Sequence, residues 1–269
     1  MNADIFSIPE ATNISIVGGK AFALSKMIQG GFNVPNGFVL SANTFNNMTP
    51  QLREAVLAAF DNLGADFIAI RSSAIGEDSQ DAAWAGQLDT FLNCTRKNLI
   101  ENINACWKSA YSERATSYAQ QKGIESTKVA VIIQEMIPSE VSGVAFSTHP
   151  VTQDSAQVVI EAGLGLGEAI VSGEITPDTY IVDKETGRAI EKHISAQKKK
   201  LVRAPTGETA WEDIDNNLPK LTDQHIAELT MLATKLEVFF QSPVDVEWAI
   251  YNNVMYVLQS RPITTLAAQ

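Results

Sequence analysis

An α+β fold in two lobes is predicted by three observations. Through the first half of the 269 residues, stretches of helical periodicity alternate with short apolar β runs. The second half is richer in strand patterns, and it opens near the continuous apolar run 129–134 (VAVIIQ), which suits a strand covered on both faces. No internal repeat or low-complexity tract interrupts either half, and the pattern changes near residue 134. The expected division is therefore an amino-terminal lobe over 1–133 and a carboxy-terminal lobe over 134–269.

The elements follow in order. Gly18-Gly19 precede a helix over 21–29, whose apolar residues recur at helical spacing and which Gly30-Gly31 end. A second amphipathic helix is expected over 44–63, around LREAVLAAFDNL. The β run at 67–71 (FIAIR) ends in a cation followed by two serines. Ile100, Ile103, Trp107, Tyr111, Ala115 and Tyr118 recur at three- or four-residue steps. One long helix over 97–122, stopped by Gly123, is the expectation there. Strands are expected at 141–147 and 157–161, and 179–182 turns through Glu185-Thr186-Gly187 into 189–192. The stretch 198–218, with three consecutive lysines and then polar and acidic residues, reads as a mobile surface connection. A helix over 222–241 opens on a Thr-Asp start signal and stops at Ser242-Pro243. Last comes a hairpin that pairs VDVEWAI with VMYVLQS across Tyr251-Asn252-Asn253.

Charge removes several classes of function. Lys and Arg number 20 against 31 Asp and Glu, a net charge of −11. Nucleic acid and anionic membranes both select basic surfaces, so neither is expected as a general partner. A phosphate site on this chain must be a local concentration of cations on an acidic body. No apolar run approaches the roughly 18 residues of a membrane span, and the opening MNADIFSIPEATN has neither the basic nor the apolar region of a signal peptide. A cytoplasmic protein is expected. Cys94 and Cys106 lack metal-ligand spacing and are expected to be free thiols in a reducing compartment.

Four groups of residues carry chemistry. Gly18-Gly19-Lys20-Ala21 open a helix; glycines let a backbone approach a ligand, and a helix start offers N–H groups to an anion. This is no Walker A loop, because the earlier glycine and the hydroxyl residue after lysine are missing, and a structural turn with a solvated lysine is the alternative. Arg71-Ser72-Ser73 leave a strand for a loop that runs through Gly76 to Gly86-Gln87, and arginine suits bidentate contact with phosphate. A surface loop with an ordinary ion pair is the alternative there. Gly163, Gly165 and Gly167 alternate in AGLGLGE ahead of Pro177-Asp178. That spacing is not the dinucleotide fingerprint, so a tight structural loop stays open. In the closing hairpin Asp245 and Glu247 lie two apart on one strand, as do Gln259 and Arg261 on the other. If the strands pair, two carboxylates, an amide oxygen and a guanidinium share a face. Such oxygens suit Mg²⁺, and a cross-strand salt bridge is the alternative. His149, His193 and His225 have no evident serine or cysteine partner and are expected to be structural or solvated.

Taken together, these segments resemble the amino-terminal ATP-binding domain of the phosphoenolpyruvate synthase and pyruvate phosphate dikinase family. The resemblance runs through GGKAFALSKM (18–27), VPNGFVLSANTF (34–45), RSSAIGEDSQDAAWAGQLDTFLN (71–93), VIIQEMIPSEVSGVAFSTHP (131–150), GLGLGEAIVSGEITPD (163–178) and PVDVEWAIYNNVMYVLQSRPIT (243–264). It covers nearly the whole chain, with the motifs in family order. His149 stands where Asp or Asn is expected in relatives.

The resemblance implies the ATP-grasp fold, with the nucleotide in a cleft between two lobes. It implies that Lys20 and Arg71 hold the triphosphate and that Gly86-Gln87 belong to a loop closing over it. Gln134-Glu135-Met136-Ile137 would form the adenine hinge, read by main-chain groups of Glu135 and Ile137, with Glu140 on the ribose. Asp245, Glu247 and Gln259 would form the metal-holding end, Glu247 and Gln259 ligating Mg²⁺, with Arg261 as the last phosphate contact. Lys20, Arg71 and Arg261 would act on the transferred group. In such enzymes ATP pyrophosphorylates a histidine on a swivelling domain, the β-phosphoryl group stays there and AMP leaves. A further barrel passes the phosphate on, to pyruvate or, in related systems, to phenols or antibiotics. This sequence has no Thr-Ser-His-type acceptor motif, so a separate phosphohistidine domain or partner protein is expected. A stand-alone small-molecule kinase making ADP and a non-catalytic ATP-sensing module are the alternatives.

Overall fold

The computed structural model describes residues 3–75, 88–121 and 128–263. The chain divides into two compact units, Met1–Met136 and Ile137–Gln269. The first contains β1 (Ile5–Ser7), α1 (Ile14–Gln29), β2 (Gly37–Leu40), α2 (Pro50–Leu63), β3 (Ile68–Ala74), β4 (Thr90–Cys94), α3 (Leu99–Ser109), α4 (Glu113–Gln121) and β5 (Val129–Glu135). Its sheet has the order β1-β2-β5-β3-β4, every neighbouring pair antiparallel.

Alternation along the strands decides what each face of that sheet buries. Phe38, Leu40, Ile68, Ile70, Val131 and Ile133 pack with residues of α2 and α3 into one apolar cluster. Residues of opposite parity in β3, namely Ala69, Arg71 and Ser73, therefore belong to the other face, and α1 packs against β3 and β5. Arg71 is thereby carried to the α1 side of the sheet.

Two helix expectations are corrected here. The second helix begins at Pro50, not at residue 44; residues Ala42–Thr44 form a separate 3-10 turn. Thr49 accepts the N–H of Leu52 at 3.2 Å and Pro50 takes the first helical position, a pairing that fixes the start more strongly than apolar spacing does. The long helix expected over 97–122 is two helices, α3 and α4. Ser109 turns its hydroxyl back onto Cys106 O (2.7 Å), and Ser112 accepts the N–H of Ala115 (3.2 Å) as the cap of a new helix. Periodicity carried on across the break, but the serines competed for the backbone. The expected stops at Lys122 and Gly123 lie outside the described residues.

The second unit holds β6 (Val141–Phe146), β7 (Gln157–Leu164), α5 (Glu168–Val171), β8 (Asp178–Asp183), β9 (Ala189–His193), β10 (Gln197–Arg203), β11 (Thr209–Asn216), α6 (Asp223–Phe240), β12 (Val244–Tyr251) and β13 (Val254–Pro262). Six strands form an antiparallel sheet in the order β13-β12-β6-β7-β8-β9, and α6 packs on β12, β6, β7 and β8. Val246, Trp248, Tyr180 and Val182 are fully buried, which assigns their parity to the α6 side. The β12–β13 turn places Asn252 (φ 49°) and Asn253 (φ 60°) in the left-handed region, as a two-residue hairpin with right-handed strand twist requires.

The third correction concerns 198–218. This stretch is no loose connection: β10 and β11 form a two-stranded antiparallel ribbon with Leu201 opposite Trp211 and Lys200 opposite Glu212. Lys199 lies 4.1 Å from the Trp211 ring centroid, Lys200 pairs with Glu212 at 3.1 Å, and Lys198 pairs with Asp215. The lysines are thus cross-strand partners of aromatic and acidic residues, which stabilises the ribbon's register. At its base, Asp178 accepts from Lys220 Nζ (2.7 Å), Lys220 N–H (2.9 Å), Ser195 N–H (2.9 Å) and the Tyr180 hydroxyl (2.8 Å). Both charged side chains are wholly buried, and each carboxylate oxygen takes two donors, so the cost of desolvation is met by complete pairing.

Candidate functional site

In the first unit the glycine-lysine segment docks onto the arginine-serine strand. The chain breaks helical geometry at Gly18 (φ 77°, ψ 169°) inside α1. A Cβ there would stand 2.4 Å from Ser73 Oγ and 2.6 Å from Ser73 O, so only glycine permits the approach. Beyond the break Ala21 donates its N–H to Ser73 Oγ (3.2 Å), and Lys20 Nζ reaches Ser72 O (3.5 Å). Lys20 is therefore set against the strand that carries Arg71. Both are half-buried, a setting in which a cation keeps some water yet is held in place. One of the N–H groups expected for an anion is already taken by Ser73. Gly86 and Gln87 lie outside the described residues.

The hinge residues sit at the end of β5 and just past it. Gln134 is 2% exposed and its carboxamide donates to Pro35 O at 3.3 Å. Glu135 N–H bonds Asn36 O (2.8 Å) and Met136 N–H bonds Phe67 O (3.0 Å). Ile137 begins the second unit and is buried.

In the second unit the closing hairpin pairs as its sequence suggests. Asp245 faces Arg261 and Glu247 faces Gln259 across the β12–β13 ladder. A bulge follows, because Trp248 faces Val257, so Leu258 is the extra residue. This lets Val257 join the buried side with Trp248 while Gln259 stays with the carboxylates, a use bulges often have beside functional sites. Arg261 Nε bonds both oxygens of Asp245, at 3.0 and 2.8 Å. Burial pushes the Asp245 carboxyl up to about 6, against the opposing pull of the Arg261 guanidinium and with a smaller push from Glu247. Among the described residues no three His, Cys, Asp or Glu side chains cluster closely enough to cage a metal ion alone. The oxygen set is two carboxylates and an amide.

The register extends this face across the sheet and adds a residue the motifs did not supply. Glu247 lies beside Val144 of β6, and Val144 beside Glu161 of β7. Burial pushes the Glu161 carboxyl above its usual range. Its signal in the sequence was an acid inside the apolar run VVIEAGL, which a strand buried on both faces would not carry.

The glycine-rich segment is built into the same unit. Gly165 (φ 92°) donates its N–H to Glu140 O at 2.9 Å and accepts from the Ser142 hydroxyl at 2.6 Å. A Cβ on Gly165 would stand 2.4 Å from Leu201 O of the ribbon. Glu140 N–H is bonded to Ile250 O (2.9 Å), and its side chain is exposed.

The histidines occupy structural positions. His149 Nδ1 accepts the N–H groups of Val151 and Thr152, both at 3.2 Å, which is the work an Asp or Asn oxygen does in such a turn. His193 meets Glu191 at 3.1 Å on an exposed strand, and His225 meets Asn253 at 3.1 Å. Both cysteines are free and buried. Burial pushes the Cys94 thiol up to about 11 and the Cys106 thiol up to about 12.

An α+β chain with a glycine-lysine cradle in one unit and a carboxylate-amide-arginine face in the other is a recognisable class, and comparison with known proteins places it. The model of the pyruvate phosphate dikinase AMP/ATP-binding domain matches residues 45–269. A probable phosphoenolpyruvate synthase of Methanocaldococcus jannaschii is 32% identical, with 94% of this chain and 26% of the relative covered. Rifampicin phosphotransferase of Bacillus subtilis is also 32% identical, with 96% and 35% covered. Among solved structures, D-alanyl-alanine synthetase A of Vibrio cholerae has a TM-score of 0.44 at 10% identity, over 95% of this chain and 57% of that one; nothing further rests on that likeness.

The chain belongs to the family of the pyruvate phosphate dikinase AMP/ATP-binding domain, as its motifs imply, and its described residues have the α+β architecture expected of it. Lys20 lies ahead of the matched segment but within the reach of the full-length alignments, which take in 94% or more of the chain. The chain spans 26% to 45% of the length of the phosphoenolpyruvate synthases it matches in two methanogens.

Proposed function

We propose that this chain is the nucleotide-binding part of an ATP-dependent phosphotransferase of the dikinase type. It transfers the pyrophosphoryl group of Mg-ATP to a histidine on a separate domain or partner with AMP as the leaving group; the γ-phosphoryl group then passes to a second acceptor, water or inorganic phosphate, and the β-phosphoryl group remains on the histidine. The observation that carries the reading is the β12–β13 register, which sets Glu247 opposite Gln259 and Asp245 opposite Arg261 on one face. Family membership supports the nucleotide, and the names of the relatives support the phosphotransferase class.

Lys20 and Arg71 bind the triphosphate as two cations fixed to one strand and helix start. Gly86 and Gln87, which lie outside the described residues, are assigned to the same phosphates by the resemblance. Adenine is read at 134–137; because Glu135 N–H is spent on Asn36 O, its carbonyl is the group that serves. Glu140 takes the ribose. The oxygen donors Glu247 and Gln259, with Asp245 beside them, fit Mg²⁺, a hard cation that takes one or two carboxylates and completes its shell with water and phosphate. Mg²⁺ would supply neutralisation of the charge that develops on the transferred group. Arg261, oriented by Asp245, contributes a positive charge at the same end, where pre-placed cations act most strongly on developing charge.

Calorimetric titration of ATP with and without Mg²⁺ tests the assignment. Wild type should bind ATP more tightly with Mg²⁺, and Glu247→Ala should lose about 10- to 100-fold of that gain, the size of loss seen when a metal's supporting groups are removed. A Glu247→Ala protein that keeps the full Mg²⁺ effect contradicts it, and favours a sensing module that holds nucleotide without this end of the site.

A further inference from the structure

The side chain of Gln197 continues a β-ladder. The β7–β8 pairing ends at Ala162, opposite Asp178. Just beyond, at Leu164, the carboxamide of Gln197 takes over: its oxygen accepts Leu164 N–H (2.9 Å) and its NH₂ donates to Leu164 O (2.9 Å) and to Lys199 O (3.0 Å). Gln197 is 2% exposed, so these bonds are made without competition from water. Two residues on, the β10 backbone itself continues the ladder, since Leu201 O accepts Leu166 N–H at 2.8 Å and lies against Gly165. The segment from Leu164 to Leu166 is thus held by the ribbon, and the ribbon by the buried Asp178–Lys220 pair at its base. On its other side the same segment holds Glu140, through Gly165 N–H to Glu140 O, and is held by Ser142 Oγ on Gly165 O.

We propose that Gln197 and Ser142 are positioning residues for the ribose end of the nucleotide site, acting through Leu164 and Gly165 on the backbone of Glu140. The inference rests on the reading of Glu140 as the ribose contact. An exposed carboxylate can discriminate a sugar hydroxyl only if its backbone is fixed, and these buried side chains supply one bond to Gly165, from Ser142, and two to the preceding Leu164, from Gln197. Removing either lets Gly165 move from Leu201, and the Glu140 carbonyl loses its donor's fixed direction. Both residues act through the backbone of Leu164 and Gly165, so their effect is read as sugar discrimination in a chain that melts show to be folded.

The experiment measures affinities for ATP, 2′-deoxy-ATP and 3′-deoxy-ATP, with thermal melts, on wild type, Gln197→Met, Ser142→Ala and Glu140→Ala. Wild type should prefer ATP over at least one deoxy analogue by about tenfold, the value of one hydrogen bond to a charged group. Glu140→Ala should abolish that preference. Gln197→Met and Ser142→Ala, with melting temperatures that show a folded chain, should lose most of it. A folded Gln197→Met that keeps the wild-type preference overturns the inference. Should Gln197→Met fail to fold, Ser142→Ala decides by the same criterion, a retained preference overturning it and a lost one supporting it. A wild type without preference, or a preference that survives Glu140→Ala, removes the ribose reading itself and the inference with it.

Discussion

At Asp245 two opposing effects act on one carboxyl, and burial wins over the neighbouring Arg261. An aspartate in an unfolded chain titrates near about 4, whereas here it is pushed up to about 6. Between those values the folded chain holds a proton that the unfolded chain has released, so this carboxyl's contribution to stability falls as pH rises through the window. The difference in melting temperature between Asp245→Asn and wild type should therefore move in the variant's favour from about pH 4 to about pH 7. Other carboxylates cancel in that difference; a constant or oppositely moving difference contradicts the burial argument. The cysteines give a second test at this scale. Cys94 and Cys106, with thiols held near 11 and 12 by burial, should resist iodoacetamide at mildly alkaline pH until the chain is unfolded. Rapid labelling of the native chain would show that the α3 side of the first unit opens readily. Residue types in the motifs were legible in the sequence, down to the four polar side chains that share a face of the last hairpin, whereas their partners depend on a bulge the sequence did not announce. The environments were not, since nothing local says that Asp245 is buried or that Glu161 shares its face.

Among the elements, the β10–β11 ribbon is where sequence and structure part most. A ribbon held to its unit mainly by hydrogen bonds and ion pairs, with β11 largely exposed, needs few apolar residues, so 198–218 carries no period-two signal and reads as a connection. Its order comes from distant groups: Asp178 and Lys220 at the base, Gln197 on Leu164, and Lys199 on Glu174 at 3.0 Å. Asp178→Ala leaves Lys220 charged and buried and should cost about 3–5 kcal/mol in denaturant unfolding. Asp178→Asn combined with Lys220→Met should cost markedly less, because no unpaired charge remains. Equal losses would mean that the pair matters for shape and not for charge. Helices with capping residues were legible where the caps outranked the periodicity, as at Thr222, whose hydroxyl accepts His225 N–H at 3.2 Å. They were misread at Thr49 and Ser112, where an apolar pattern continued across a cap.

At the scale of the molecule, the order of motifs was enough for fold class and family, because six segments in family order constrain a chain far more than any one of them. Activity beyond nucleotide binding is a different matter, since the chain matches less than half of each of these synthases' length. In the proposed reaction the β-phosphoryl group of ATP leaves this site for a histidine. The most direct measurement incubates the chain and Mg-ATP, labelled separately at the β and γ positions, with the phosphohistidine domain of a phosphoenolpyruvate synthase, and identifies both the nucleotide and the labelled protein. AMP should be the nucleotide product, with β label on that domain in an acid-labile, base-stable linkage, and both should be lost in Glu247→Ala. ADP as the only nucleotide product, with γ label transferred or released, would contradict it and point to a kinase of the ordinary single-phosphoryl kind.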